Sequence, residues 1–191
     1  KIQTSTSYSN GNSNYFDLNV SLYSLYSFSN YELLVNASLN RGISNKLDYR
    51  NDDFYHLRFT VPYSTLFSLE SYIQKEFNEF LHIQNRQLFG LGIRTTIFSN
   101  PRLISKLGIG PMWESIQYIS SSNSSLSNLR LNNYLSLKYV LNRLLLNGVL
   151  YYQPLGSDFS DYQMLITIDL ENAISEHISI LTSIRYRYDS T

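Results

Sequence analysis

Apolar and polar residues alternate along most of this chain. From Phe16 to Phe28 the even positions read Phe16, Leu18, Val20, Leu22, Ser24, Tyr26 and Phe28, with Asp17, Asn19, Ser21 and Ser27 between them. A side-chain period of two is the pattern of a β-strand with one apolar and one polar face. It predicts eleven strands, at about 1–9, 14–26, 31–43, 53–61, 67–78, 83–98, 102–117, 128–141, 144–154, 161–173 and 178–189. Many of these run to twelve residues or more, against about five or six in ordinary soluble sheets. Between them fall tight connections at Ser27–Asn30, Pro62–Leu66, Ser99–Pro101, Asn142–Arg143 and Ser175–His177. Longer polar ones are expected at Ser9–Ser13, Ser44–Asp52, Ile119–Ser127 and Leu155–Ser160, with Glu79–His82 short but on the same side. Ser120–Ser125 reads by composition as a loop tip. Long alternating strands with connections of alternating length predict an all-β, up-and-down antiparallel transmembrane β-barrel.

The two parities differ in chemistry. One carries Leu18, Val20, Val35, Phe59, Ile73, Leu91, Leu107, Leu137, Leu146, Ile166, Ile168 and Ile180, and is assigned to lipid. The other carries Asp17, Glu32, Arg58, Glu70, Glu76, Arg86, Arg94, Lys106, Glu114, Arg130, Lys138, Asp169, Glu171, Arg185 and Arg187, and is assigned to the lumen. Those are eight cations and seven anions, half of the 15 basic and 15 acidic residues in the chain. A soluble sandwich would turn its apolar face inward. Lys75 breaks the pattern by sitting on the apolar parity, where it either snorkels to an interface or marks a register error. Tyr26, Phe28, Tyr31 and Phe67 lie near the short turns; Tyr118, Tyr152, Tyr162 and Tyr188 lie near the longer loops. Two such rows suit the aromatic girdles of a membrane barrel.

Composition narrows the class. The 191 residues suit one closed sheet, a single domain over 1–191. Charged residues are 16%, below the roughly 25% of soluble domains. Seventeen Tyr and ten Phe accompany only eight Gly and four Pro. No apolar run is long enough for a membrane helix, which strands do not need. The absence of Cys removes disulfides and thiolate chemistry, and zero net charge without a basic block argues against nucleic acid as a partner. The expected partners are outer-membrane lipid and other envelope proteins. No cofactor is expected.

Candidate chemistry is sparse. His56, His82 and His177 show no metal-ligand spacing. Serine is so abundant that any Ser–His match is cheap, and the chain is not expected to be an enzyme. The carboxylates Glu70, Glu76, Glu114, Asp169 and Glu171 are expected to face Arg58, Arg86, Arg94, Arg130 and Lys138 rather than to work as acid–base pairs. Gly90, Gly92, Gly108 and Gly110 share the charged parity on neighbouring strands. Arg or Tyr side chains are expected to cross the interior there.

Four segments in order resemble a family of salt-induced outer membrane proteins, a domain of unknown function. They are Ser9-Asn-Gly-Asn-Ser13, Leu107-Gly-Ile-Gly-Pro-Met-Trp113, Pro154-Leu-Gly-Ser-Asp-Phe-Ser-Asp-Tyr162 and Arg185-Tyr-Arg-Tyr-Asp-Ser190. The resemblance spans nearly the whole chain. It implies a Gram-negative outer-membrane barrel and supplies no substrate and no catalytic residues. Members of that family continue past the last segment into one more strand. The expectation is therefore about twelve strands with eleven visible, since single-chain bacterial barrels use even numbers: either the sequence lacks its last strand or one hairpin is miscounted. Function is expected to be a narrow pore or passive barrel with a charge-lined lumen. The alternative is a non-conducting accessory barrel of an envelope complex that presents polar external loops. A barrel enzyme acting on lipid ranks last.

Overall fold

A computed structural model describes residues 2–9, 15–28, 31–45, 47–120, 125–175 and 178–190. Eleven strands form one antiparallel sheet in chain order: β1 (Ile2–Ser9), β2 (Tyr15–Phe28), β3 (Tyr31–Ser44), β4 (Leu47–Pro62), β5 (Phe67–Asn78), β6 (Ile83–Ser99), β7 (Leu103–Tyr118), β8 (Leu126–Leu141), β9 (Leu144–Pro154), β10 (Tyr162–Ala173) and β11 (Ser179–Asp189). Each strand pairs with its sequence neighbour, so β1 and β11 stand at the two ends of the order. The Ser9–Ser13 connection, most of the Ser120–Ser125 tip, Asn30 and His177 lie outside the described residues.

One expected loop is strand. Ser44–Asp52 reads as a long connection, but β4 starts at Leu47 and only residues 45–46 separate it from β3. The ladder continues through Asn40↔Asp52, Arg41↔Asn51 and Gly42↔Arg50, and then shifts register between Gly42 and Ile43. Polar residues do not end a strand when their backbone groups still find partners. Asn45 takes the positive φ, 50°, that closes this turn. The contrast between short and long connections is accordingly weaker than the sequence suggests.

Other turns are held by a side chain that replaces a missing ladder bond. Ser64 Oγ accepts from the N–H groups of Leu66 and Phe67, Asn78 Oδ1 from Leu81, Asn100 Oδ1 from Arg102 and Leu103, and Asp158 Oδ1 from Ser160. These are the local acceptors that Ser, Asn and Asp supply best.

The chain divides into two compact units. One comprises Lys1–Val61, Ser71–Gly90 and Trp113–Asn128; the other comprises Pro62–Glu70, Leu91–Met112 and Leu129–Thr191. In the first, Tyr72, Ile83, Leu88 and Ile116 are buried, and a Cβ at Gly90 would overlap the Tyr72 ring. A Cβ at Gly42 would meet the Tyr49 ring, which also stacks on Tyr15 at 5.4 Å. In the second unit Tyr134 is buried, and a Cβ at Gly108 would overlap its ring. The rings therefore come from the adjacent strand in each case: β4 over β3, β5 over β6 and β8 over β7. Aromatic cover of a glycine on a neighbouring strand fills the gap its missing side chain leaves. Gly92 and Gly110 serve differently. A Cβ at Gly110 would run into the Leu91 carbonyl and Gly92 Cα, so here β6 and β7 approach backbone to backbone.

Gly90→Ala should therefore destabilise the fold by about 1–3 kcal/mol, the cost typical of overpacking. Gly148→Ala should cost nothing, because a Cβ there meets only the Thr167 carbonyl at 4.0 Å. Adding Tyr72→Leu to Gly90→Ala should recover part of the loss. Urea unfolding in lipid vesicles measures all three; equal effects for Gly90 and Gly148 would refute the ring-over-glycine account.

Candidate functional site

The charged parity gathers into ion pairs. In the first unit Arg86 of β6 donates through Nε to Glu114 Oε1 of β7 at 2.7 Å and through Nη1 to Glu76 Oε2 of β5 at 3.1 Å. Glu114 is wholly buried and Arg86 is 4% exposed. In the second unit Arg94 Nη1 lies 3.1 Å from Glu70 Oε1, and Tyr134 Oη donates to Glu70 Oε2 at 2.5 Å. Both centres are built from groups on separate strands, and the alternation that hides Arg86 and Arg94 exposes Gln87, Phe89, Leu91 and Ile93 between and beside them.

Arg130, also on the second unit, is buried and docks a loop. Its Nη1 meets Asp161 Oδ1 at 3.0 Å and the Gln153 carbonyl at 3.2 Å. Gln153 Nε2 in turn donates to Asn132 Oδ1 at 2.8 Å. Pro154 is fully buried, Gly156 N–H donates to the Leu129 carbonyl, and Leu155 N–H donates to the Asp161 carbonyl. The Pro154–Tyr162 segment is thus a folded hairpin end pinned by one guanidinium. Asp158, in this loop, titrates below the usual carboxylate range because the Ser160 hydroxyl and N–H both bond to it. At the chain's far end Gln163 Nε2 donates to Asp189 Oδ2 and Tyr162 N–H to Ser190 Oγ.

The remaining charged-parity residues are placed as follows. Asp17 accepts from Tyr15 Oη and Asn19 Nδ2, both at 3.2 Å along its own strand. Glu32 stands opposite Thr60 and Ser27. Arg58 lies 5.7 Å from the Tyr72 ring centroid. The Lys106 carbonyl accepts from Ser136 Oγ. Asp169 accepts from Ser183 Oγ at 2.7 Å. Lys138 and Glu171 are exposed, and Arg185 and Arg187 lie on β11, whose described residues are exposed on both parities. Of the expected carboxylate partners, Arg86 and Arg94 serve Glu76, Glu114 and Glu70, whereas Arg130 serves a loop aspartate. His56 stacks between Phe54 and Tyr72, at 6.2 and 5.7 Å, with Nδ1 3.2 Å from Gln74 Oε1. His82 closes the β5–β6 turn with φ 54°.

The apolar parity is exposed on β5, β6 and β7 and half-buried on β2 and β10. Phe59, Ile73, Leu91, Leu107, Leu137 and Ile180 are exposed, while Leu18, Val20, Val35, Leu146, Ile166 and Ile168 are half-buried. Aromatic rings on this parity form rows at strand ends. Tyr152, Tyr162 and Tyr188 follow one another across β9, β10 and β11 with centroids 5.4 and 5.6 Å apart. Tyr31 stacks on Phe59 at 5.6 Å and Tyr26 on Phe28 at 6.5 Å. Sequence reasoning passed over Tyr72, Tyr134, Asn132, Gln153 and Asp161, whose partners lie on other strands; the period of two does mark the first two as buried-parity residues.

Long antiparallel strands in up-and-down order, with charged side chains covered and apolar ones exposed on β6, define the fold class: an all-β, up-and-down antiparallel sheet of the outer-membrane β-barrel kind. The structure of NanC porin superposes with a TM-score of 0.55 at 7% identity, covering 90% of this chain and 81% of that one. The translocator domain of the autotransporter NalP from Neisseria meningitidis matches at a TM-score of 0.42 and 11% identity, covering 98% and 80%. The β-domain of the Bordetella autotransporter BrkA matches at 0.38 and 10%, covering 98% and 89%. The chain belongs to the family described as protein of unknown function, DUF481, whose model matches residues 2–191. Comparison with curated protein sequences returns no match.

Removing the Arg86 guanidinium with Arg86→Met would leave Glu76 and Glu114 covered and facing one another. Breaking a buried pair in this way costs about 3–5 kcal/mol. Arg41→Met, which removes a half-exposed pair with Asp53, should cost about 0–1 kcal/mol. Urea titration of the refolded proteins compares them, and similar losses would mean that the buried triad is not holding β5, β6 and β7 together.

Proposed function

We propose that this protein is a narrow barrel of the bacterial outer membrane, with the charged parity lining its lumen and the apolar parity meeting lipid. The observation that carries this reading is the inverted burial on single strands. On β6, Arg86, Leu88 and Gly90 are covered while Gln87, Phe89 and Leu91 are exposed. In water that arrangement would expose a broad apolar surface, which soluble monomers avoid. Lipid removes the conflict. The resemblance to the NanC porin structure favours passive conduction over catalysis. The carboxylates best covered are already committed to Arg86 and Arg94, which favours a structural and electrostatic role for them over acid–base work.

The covered face is filled where it is best defined. Met112, Glu114 and Pro154 are the largest fully buried side chains, and Tyr72 and Tyr134 lie over glycines. That filling supports a passage for small ions at most, and it keeps the second reading, a non-conducting accessory barrel, in view. Planar-bilayer recording separates the two. The expected result is a small conductance with a reversal potential near zero under a salt gradient, since eight cations and seven anions on one parity make no single-sign ring. Silence would favour the accessory barrel; strong selectivity would contradict the mixed lining.

Leu91 tests the lipid face. It sits in the middle of β6 and is 50% exposed. Leu91→Arg would be harmless on a water-facing surface. At the midplane of a membrane barrel it should cost about 2–4 kcal/mol. Equilibrium unfolding in lipid vesicles gives the number, and a loss near zero would sink the assignment.

A further inference from the structure

Lys75 lies on the exposed, apolar parity of β5. The register doubt raised by the sequence is thereby settled: Ile73 and Lys75 are exposed, while Tyr72 is buried and Gln74 half-buried. Among the described residues Lys75 has no hydrogen-bond or ion-pair partner. The other strand cation on this parity, Arg41, is held by Asp53 at 2.7 Å.

Beside Lys75 runs a groove of about 440 Å³ within the first unit. Its open walls are Ala37, Leu57, Ile73, Phe89 and Trp113, with Lys75 and the Gln87 amide as polar groups of the same parity. Ala37 is the small side chain that opens it, directly opposite Tyr55 on β4. Glu79 N–H donates to the Asn51 carbonyl, so counting four residues back along β5 and four forward along β4 brings Lys75 level with Tyr55. Two residues further along β4 the same parity turns charged at Asp53, paired with Arg41. The ammonium therefore stands where the apolar band gives way to polar side chains.

Resting on the lipid-facing reading above, we propose that this groove binds one phosphate-bearing lipid. An acyl chain lies along Ala37, Leu57, Ile73 and Phe89, and the phosphate sits on the Lys75 ammonium with the Gln87 amide as a second donor. The argument is charge complementarity. A cation without a protein partner on an apolar surface favours an anion that carries its own apolar tail. A groove of this size falls within the range of ligand pockets, about 300–1,000 Å³.

The chain contains a single tryptophan, and it lines the groove. Trp113 fluorescence therefore reports occupancy directly. The full chain is reconstituted in phosphatidylcholine vesicles, and a fixed fraction of lipid is replaced by bromine-labelled phosphatidylcholine or bromine-labelled phosphatidylglycerol. The anionic lipid should quench with an apparent affinity about fivefold higher, the preference that one basic residue near the surface supplies. Lys75→Gln should reduce that preference to about one. Ala37→Leu should weaken quenching by the anionic lipid by filling the groove. Unlabelled lipid A, a phosphomonoester, should relieve the quenching, and inorganic phosphate should not. Equal quenching by the two labelled lipids, a preference that survives Lys75→Gln, or relief by inorganic phosphate would each overturn the site while leaving the lipid-facing assignment intact. No quenching by either lipid would overturn that assignment itself.

Discussion

A strand sends successive side chains in opposite directions, and in this chain those directions demand opposite chemistry. Once Phe89, Leu91 and Ile93 are exposed on β6, Arg86 and Arg94 can only point the other way. Covered charges are tolerated only when paired and hydrogen-bonded. The neighbouring strands meet that demand, with Glu76 and Glu114 flanking Arg86 on β5 and β7, and Glu70 meeting Arg94. The ion pairs are thus less a source of net stability than a condition that the exposed apolar face imposes. A buried ion pair can be replaced by apolar side chains at little cost, whereas half of one cannot remain. Register follows from the same demand, because a slip of one residue on β6 would place both arginines on the apolar side.

The same logic separates what the sequence discloses from what it conceals. Strand number, parity and most boundaries are local properties, and Arg86, Glu114, Arg130 and Glu70 could be put on the covered face by counting in twos. Partners are not local. Tyr134 reaches Glu70 across 64 residues of sequence, and Arg130 reaches Asp161 across 31. Nothing in a single chain's alternation distinguishes Asp161 from any other loop aspartate. The glycine positions were legible as places for a bulky group, but not that the ring would come from the next strand rather than from across the interior. Ser44–Asp52 misled for another reason. Its composition is that of a loop, yet Asn40, Arg50, Asp52 and Asn19 bond among themselves and keep the ladder supplied with partners.

Three of the segments that resemble a family hold strands and turns together. Pro154–Tyr162 is a docked hairpin end, Leu107–Trp113 contains the two glycines that admit a tyrosine ring and a close backbone, and Asp189 secures Gln163. Motifs of this kind specify how strands meet, so they identify the fold strongly and a solute not at all. This is the position expected when function resides in side chains grafted on a widely used scaffold.

The exposed face carries the least redundancy. Covered charges answer one another, but a polar group on the apolar parity must either bring its own partner or find one outside the protein. Arg41 follows the first course: Asp53 accepts from its Nη1, as do the carbonyls of Asn40 and Asp52. The tyrosines at the ends of β9, β10 and β11 also answer one another, stacking ring beside ring, with a hydrogen bond between the Tyr162 and Tyr188 side chains. Lys75 has neither a carboxylate nor a carbonyl among the described residues. An ammonium whose four-carbon stem crosses an apolar surface leaves its head to whatever bounds that surface. In a bilayer the boundary is a layer of headgroups, and of the chemistry available there, phosphate is what a solitary cation selects.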